Sequence, residues 1–176
     1  GAALRPYGAA AARVAGAVRL GVMGAVGHEV RDLIHQFRDR YPGCEVVLRE
    51  IYFSDPFGPL RAGDVDLALV WRPVCEADLT EGPVVLTEGT LLAMCEGHDL
   101  AGRESVSLED FGGHLFVDPG PRAPDYWLEP MLPARTPSGV LIPRMSVPIE
   151  TMQSREAAMR VPPLITWSES PMRPWP

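Results

Sequence analysis

The sequence predicts an α/β fold with two lobes. Three observations support this prediction. Short β-rich segments alternate with amphipathic helical segments along the chain. An acidic, proline-containing stretch, "RPVCEADLTEGPVV", interrupts that alternation after Trp71. A second series of short strands and helices then follows. We therefore expect two lobes joined near residues 72–88.

The composition is that of a globular chain. The chain has 176 residues, 46% of them hydrophobic, and a formal net charge of −7. That length is enough to bury a hydrophobic core, and apolar residues occur throughout. A negative charge is unusual for an isolated nucleic-acid-binding domain, so we expect this chain not to bind a DNA sequence by itself.

The first lobe begins with a predicted βαβ unit. The segment "VRLGVMG" predicts a strand at 18–24, and "GAVG" predicts a tight turn. A helix is expected from His28, with one apolar face formed by Val30, Leu33, Ile34, Phe37 and Tyr41 and a stop at Pro42-Gly43. The segment "CEVVLREIYF" predicts the second strand, parallel to the first.

The segment "FGPLRAGDVDLALVW" predicts a short helix followed by a buried strand. Ser54 is expected to cap that helix, and Gly63 to end it. Asp66 is expected to cap the following turn while remaining accessible to solvent. Because "VDLALVW" is apolar on both faces, it predicts the middle strand of a parallel sheet.

The second lobe is predicted from shorter segments. Strands are expected in "TLLAMCEG", "HLFVDPG" and "RMSVP". A short helix capped by Ser107 should direct Phe111 inward, a second is expected in "APDYWLEPML", and a third in "IETMQSREAAM". The tail is proline-rich apart from the apolar run of Leu164, Ile165 and Trp167.

The cysteines and the apolar stretches exclude several classes of protein. Cys44, Cys75 and Cys95 are odd in number and form no C-x-x-C motif, so they predict small buried thiols in a reducing cytoplasm. No apolar stretch is long enough to span a membrane. Residues 1–16 show a weak seven-residue repeat, which fits either a helix that packs against another helix or a terminal helix with no partner.

Motifs for catalysis are missing or incomplete. The segment "HEVRD" lacks the second histidine of a zinc-protease helix, because that position is Asp32. The sequence contains no nucleophile elbow, Walker A loop or dinucleotide fingerprint. Glu109 and Asp110 are adjacent and should face different ways, which makes them a poor acid–base pair. We therefore expect no catalytic residue, no metal site, no cofactor and no hydrolase activity.

A binding edge is nevertheless predicted. Ligands of open parallel sheets lie outside the carboxyl ends of the strands. Those ends are expected at 23–27, at Phe53-Ser54 and at Trp71-Arg72. The helix expected from His28 would direct its free N–H groups to the same place, which favours an anionic group. Trp71 is either a platform for the ligand or a residue that only closes the sheet edge.

Several of these segments together resemble one family. "VRLGV", "FRDRYPG", "LRAGDVDLALV", "EGHDLAGRESVSLEDF" and "DPGPRAPDYW" resemble the effector-binding domain of LysR-type transcriptional regulators. In that family a His-Pro-Leu-Ala segment stands where this chain has "HDLA". The resemblance covers most of residues 17–130. It implies two Rossmann-like lobes with a type 2 periplasmic-binding-protein-like fold and a small effector in the cleft.

The resemblance also implies an organisation of the chain. Residues 1–16 are expected to end a linker helix, 17–72 to form the first lobe, 73–150 the hinge and second lobe, and 151–176 a return segment to the first lobe. That return segment is shorter than the family pattern after Ser154. The family's winged helix-turn-helix is absent from this chain, so DNA contact is expected only through that missing N-terminal domain.

The expected effector contacts follow from the strand ends and from the matching family positions. They are Gly24, Ala25, Val26, Phe53, Ser54, Trp71, Asp118 and Pro119. The expected partners are a small-molecule effector and further copies of the chain in a homodimer or homotetramer, in the cytoplasm and without membrane contact. A secreted solute-binding protein of the same fold is the alternative function, and an α/β enzyme is disfavoured by the missing motifs.

Overall fold

A computed structural model describes residues 15–24, 30–87, 89, 91–146 and 164–168. The chain divides into two compact units after Val70, here called the first unit (residues 1–70) and the second unit (residues 71–176). The described elements, in chain order, are β1 (Gly16–Val22), α1 (Arg31–Arg40), β2 (Cys44–Glu50), α2 (Gly58–Ala62), β3 (Leu67–Leu69), β4 (Leu91–Met94), a 3₁₀ helix (Leu108–Phe111), β5 (Leu115–Asp118), α3 (Asp125–Leu128), β6 (Arg144–Ser146) and β7 (Leu164–Ser168).

The first unit contains a parallel sheet in the order β2-β1-β3. The predicted parallel βαβ unit is confirmed, with Val22 of β1 paired with Glu50 of β2. The prediction that β3 is the middle strand is wrong, because β1 has that place and β3 pairs with β1 alone among the described strands. Leu67 is accordingly 58% exposed.

Helix α1 begins at Arg31, later than the predicted start at His28. Residues 25–29 lie outside the described residues. The predicted apolar face is only partly buried, because Val30 is 5% exposed whereas Leu33 is 52% exposed. The helix ends at Arg40, just before the predicted stop, and its last turn carries two arginines that favour the helix dipole.

The core of the first unit lies beside β1. Met23, Ile51, Phe57 and Val65 are each at most 3% exposed. Gly21 of β1 lets two of them come close, since a Cβ at that position would lie 3.2 Å from Cδ1 of Ile51. Removing these apolar side chains from water is the main stabilising contribution in this unit.

Helix α2 confirms one prediction and corrects another. It ends at Gly63, whose φ of 72° is left-handed, as a glycine C-cap requires. Ser54 is not its cap, because the helix begins later, at Gly58. The first N–H of the helix is instead bound by the carboxylate of Asp55, at 3.0 Å. Asp55 is closer along the chain and reaches that N–H.

The second unit contains a four-stranded sheet in the order β4-β7-β5-β6. Strands β5, β6 and β7 are parallel to one another, and β7 is antiparallel to β4. Strand β7 was not predicted as a strand. The described part of the expected return segment, 164–168, lies in this second sheet rather than in the first lobe, because β4 and β5 both provide pairing edges for it.

The core of the second unit is aromatic. Trp127 and Leu132 are fully buried, and Phe116 is 1% exposed. Phe111 packs against Phe116 with ring centroids 4.6 Å apart, which confirms its predicted inward direction. Ser107 caps the 3₁₀ helix in a capping box with Asp110.

The three cysteines differ in their exposure to solvent. Only Cys44 is buried; Cys95 is intermediate and Cys75 is exposed, because the segment that carries Cys75 lies at the surface. Of the expected linker helix, only Ala15 and Gly16 are described, and Gly16 already belongs to β1. The helix expected in "IETMQSREAAM" lies outside the described residues.

Candidate functional site

The carboxyl ends of the first sheet lie at one edge. Val22 is directly beside Glu50 on one side and beside Leu69 on the other, and all three strands run the same way. The segments that leave these ends carry Gly24 after β1 and Phe53-Ser54 after β2. The parallel register therefore brings the predicted strand ends to a common edge, which is where open parallel sheets bind ligands.

Gly24 lies in the turn that follows β1. Its φ of 53° is in the left-handed region, which glycine enters without steric cost. Met23 immediately before it is fully buried, which fixes where the turn begins. Ala25 and Val26, the other predicted contacts in this turn, lie outside the described residues.

Ser54 lies in the turn after β2. The turn is held to β1 by the N–H of Ile51, which donates to the carbonyl oxygen of Val22 at 2.9 Å. Within the described part of the chain, the Ser54 hydroxyl oxygen is buried without a hydrogen-bond partner. The carboxylate of Asp55, and not the Ser54 hydroxyl, binds the first N–H of α2.

Asp66 lies at the start of β3, at the junction with α2. Its carboxylate accepts hydrogen bonds from the backbone N–H of Arg19 at 2.8 Å and from the Arg19 guanidinium at 2.6 Å. These hydrogen bonds lower the pKa of Asp66 to about 2. The residue joins the junction to β1, rather than capping the turn as predicted, because Arg19 projects from the neighbouring strand.

Trp71 is the first residue of the second unit. Its carbonyl oxygen accepts a hydrogen bond of 2.9 Å from the indole N–H of Trp127. The two indole rings are stacked, with centroids 6.2 Å apart and an angle of 23° between planes. Trp71 is half-buried. The fully buried ring of Trp127 therefore stacks against the ring of Trp71.

Asp118 and Pro119 lie at the end of β5. A carboxylate oxygen of Asp118 accepts the N–H of Gly120 at 2.7 Å, a local turn that sets the direction of the chain. Pro119 is buried and Asp118 is half-buried. The carboxyl end of β5 therefore presents a partly exposed carboxylate beside an apolar residue.

The residues weighed for acid–base chemistry have structural partners. The carboxylate of Glu109 accepts hydrogen bonds from the hydroxyl and N–H of Ser138, each at 2.7 Å. The carboxylate of Asp110 instead binds Ser107 and Arg103. Hydrogen bonds to these residues lower the pKa of both carboxyls. They face different ways, as predicted, and each is held as a structural carboxylate.

The incomplete "HEVRD" motif is only partly described. His28 and Glu29 lie outside the described residues, and Asp32 is exposed in the first turn of α1. His35, further along the same helix, is also exposed. The described residues of the motif thus form no buried site.

Sequence reasoning missed one group of side chains in the second unit. His98, Asp99 and His114 have ligand-capable atoms within 4.8 Å of one another. Along the sequence, His98 precedes the 3₁₀ helix and His114 follows it. No spacing motif joins them, so only the fold brings them together.

No helix in the described residues is both long and apolar enough to cross a bilayer. The family of the chain is shown by a family model described as the LysR substrate binding domain, which matches residues 11–144. The chain belongs to this family. The resemblance seen in the sequence and the predicted type 2 periplasmic-binding-protein-like fold are thereby confirmed.

Several known proteins are similar to this LysR-family chain. It is 29% identical over 107 residues to the uncharacterized HTH-type transcriptional regulator YybE of Bacillus subtilis (strain 168), covering 58% of this chain and 35% of YybE. The effector-binding domain of QuiR, solved in complex with shikimate, matches with a TM-score of 0.66 at 17% identity, covering 89% of this chain and 76% of that one.

A third similar protein is the LysR-family regulator PA01 of Pseudomonas aeruginosa. Its crystal structure matches with a TM-score of 0.59 at 21% identity, covering 91% of this chain and 57% of that one. The chain spans about one third of the length of the curated relatives it matches. This chain is the effector-sensing domain of a LysR-type regulator. The alternative of a secreted solute-binding protein is therefore set aside.

Proposed function

We propose that this domain binds a small polar organic effector at the carboxyl edge of its first sheet. The observation that carries the proposal is the buried hydroxyl of Ser54, which has no hydrogen-bond partner among the described residues. An unpaired buried polar group costs about 1–3 kcal/mol. A ligand that hydrogen-bonds to this hydroxyl regains that free energy, which makes Ser54 a favourable contact.

The neighbouring residues suit such a ligand. Gly24 leaves the backbone open to close approach, because it has no Cβ and already adopts a left-handed turn. Phe53 adds a partly exposed aromatic surface beside Ser54. We propose Ala25 and Val26, which follow Gly24 in the sequence and lie outside the described residues, as further contacts.

On the second unit we propose Trp71, Asp118 and Pro119 as effector contacts. The Asp118 carboxylate offers a hydrogen-bond acceptor, and Pro119 adds apolar surface. The domain of QuiR, which shares this fold, was solved with shikimate, a small polar molecule. That likeness supports a small polar effector for this chain without naming it.

The first experiment compares two serine variants. A thermal-shift screen of small organic acids and their neutral analogues finds a ligand, and calorimetry measures its affinity. We expect Ser54→Ala to weaken binding about tenfold or more, since the loss of one hydrogen bond of about 1.4 kcal/mol changes affinity tenfold. The stability of the free variant should not fall, because the hydroxyl it removes has no partner in the part of the chain that the structure describes.

Ser138→Ala is the matched control. The Ser138 hydroxyl donates to Glu109 at 2.7 Å, so its removal should lower stability while leaving ligand affinity unchanged. Unchanged affinity in Ser54→Ala, for a ligand that binds the wild-type chain, would exclude Ser54 as a contact. Chemical-shift changes that map away from Gly24, Phe53 and Ser54 would refute the placement at this edge.

Trp71 is tested separately. Its stacking on Trp127 is a packing role, and its half-buried ring is also proposed as an effector contact. Trp71→Leu should reduce affinity if the ring contacts the effector. A folded variant with unchanged affinity assigns Trp71 to packing alone.

We propose that the full-length regulator couples effector binding to DNA binding. The relative YybE is an HTH-type transcriptional regulator, and a net charge of −7 does not favour DNA contact by this domain. We therefore assign DNA contact to a winged helix-turn-helix of the full-length protein, acting as a homodimer or homotetramer in the cytoplasm. We assign no enzymatic activity to this domain.

Gel retardation tests the coupling. The full-length protein should retard its promoter DNA with an effector-dependent midpoint, whereas this domain alone should not retard it. Sequence-specific retardation by the isolated domain would contradict the assignment. Turnover of ester or peptide substrates that tracks with the purified domain would contradict its non-enzymatic role.

A further inference from the structure

A histidine–aspartate–histidine group lies in the second unit and includes none of the proposed effector contacts. Nδ1 of His98 is 3.1 Å from Oδ1 of Asp99, and Nδ1 of His114 is 3.6 Å from the same oxygen. The two imidazole rings are 5.0 Å apart, tilted by 50°. One carboxylate oxygen therefore faces two ring nitrogens.

The imidazole of His98 is almost completely buried. Its side chain is only 2% exposed. Its Nε2 atom is buried and has no hydrogen-bond partner in the described part of the chain. Nε2 is not the nitrogen that faces Asp99, so this observation shows only how fully the ring is enclosed.

The Nδ1 atom of His98 adds a conflict. It accepts the backbone N–H of Leu100 at 3.1 Å, so in that arrangement it carries no proton. The Asp99 oxygen 3.1 Å away is also an acceptor. Two acceptors at this distance repel each other unless a cation lies with them. A proton on each ring nitrogen would remove this repulsion, and so would one metal ion bound by both nitrogens and the oxygen.

The separations are close to those of a coordination shell. Zinc binds histidine nitrogen at about 2.0–2.1 Å and carboxylate oxygen at about 2.0–2.2 Å, which in a tetrahedron places ligands about 3.3–3.5 Å apart. The observed separations of 3.1 Å and 3.6 Å lie on either side of that range. The ligand-capable atoms of the three residues all lie within 4.8 Å of one another, so side-chain rotation has to bring them onto one ion.

We propose that His98, Asp99 and His114 bind a divalent first-row transition metal ion of the zinc type. Two imidazoles and one carboxylate suit zinc, nickel or cobalt, whereas magnesium and calcium prefer oxygen ligands. Asp99 is 69% exposed, so the remaining coordination position is open to water. In binding Nδ1 of His98, the ion displaces the Leu100 N–H from that nitrogen.

The expected consequence is stabilisation of the second unit. His98 lies in the turn after β4, and the N–H of His114 is held by the carbonyl oxygen of Phe111 just before β5. An ion shared by both histidines joins these two segments. Because a ligand that binds the folded state stabilises it, the thermal midpoint should rise with metal concentration.

The test uses the full chain after treatment with EDTA. Zinc is titrated by calorimetry, and cobalt is added to record the visible absorption of a low-coordinate site. We expect micromolar or tighter binding with one ion per chain, and a movement of the Leu100 amide signal in NMR spectra. His114→Gln and Asp99→Ala should each weaken zinc binding at least about tenfold, as losses around metal sites commonly do.

Two control variants remove other potential ligands. His35→Gln alters an exposed histidine of α1, and Cys75→Ser removes the exposed thiol. Both should bind zinc as the wild-type chain does. Failure of the wild-type chain to bind zinc below millimolar concentration would overturn the proposal. It would also be overturned if a control variant lost zinc binding while His114→Gln kept it. No effector is used, so this outcome is independent of the proposed effector site.

Discussion

The guanidinium of Arg19 and the carboxylate of Asp66 join the middle strand of the first sheet to the junction before β3. The Asp66 carboxylate also accepts the backbone N–H of Arg19 at 2.8 Å, and the Asp66 N–H donates to the Arg19 carbonyl at 2.8 Å. The Arg19 guanidinium additionally donates to the Gly63 carbonyl at the end of α2. One side-chain pair thus holds the end of α2 and the start of the pairing between β1 and β3.

This pair predicts an acid-dependent loss of stability. The pKa of Asp66 is lowered to about 2, so its stabilising effect is fully present above the unfolded value near pH 4 and is lost as the pH falls through about 2. The free energy of unfolding of the wild-type chain should therefore fall more between about pH 5 and pH 2 than that of Asp66→Asn. Urea unfolding at a series of pH values measures the difference.

The effect should be modest, because both side chains are about 40% exposed and surface ion pairs are screened by salt. Asp39→Asn, on the exposed part of α1, is the control and should keep the wild-type pH dependence. Identical acid profiles for the wild-type chain and Asp66→Asn would mean that the pair does not stabilise the fold.

Gly63 should resist substitution for a conformational reason. Its φ of 72° ends α2 in the left-handed region, and a Cβ there meets no atom within 4 Å. Gly63→Ala should therefore destabilise the chain by about 1–2 kcal/mol through backbone strain alone. Gly82 is also open to solvent space but has no positive φ, so Gly82→Ala should be neutral or slightly stabilising. Equal midpoints of chemical unfolding for the two variants would refute the strain.

Phe116 should be a main contributor to the second core. It is 1% exposed and packs on Phe111, so Phe116→Ala leaves a cavity and should cost about 3–5 kcal/mol. Leu108→Ala, at a side chain 44% exposed in the adjacent 3₁₀ helix, should cost far less. Chemical unfolding followed by near-ultraviolet circular dichroism reports the second unit. A small effect of Phe116→Ala would show that this core is not cooperative.

Some of the helix ends and caps could be predicted from neighbouring residues alone. The helix end at Gly63 and the cap at Ser107 were predictable because each depends on residues a few positions apart. The sequence did not predict that Asp55, rather than Ser54, binds the first N–H of α2. Both residue types are good helix caps, and the position where the helix begins decides between them. With that choice, the Ser54 hydroxyl has no partner among the described residues at the edge where the effector is proposed to bind.

The sequence alone determined the elements whose signals are local, and the resemblance to the family. The spacing of apolar residues, the capping residues and the turn glycines indicate the parallel βαβ unit and most of the short strands. Each of these signals depends on residues within one helical turn or one strand. Only the tertiary structure decided that β7 lies between β4 and β5, that β3 is at the edge among the described strands, and that His98 meets His114. Such contacts join distant parts of the chain, so they depend on which edges and surfaces the rest of the fold leaves available.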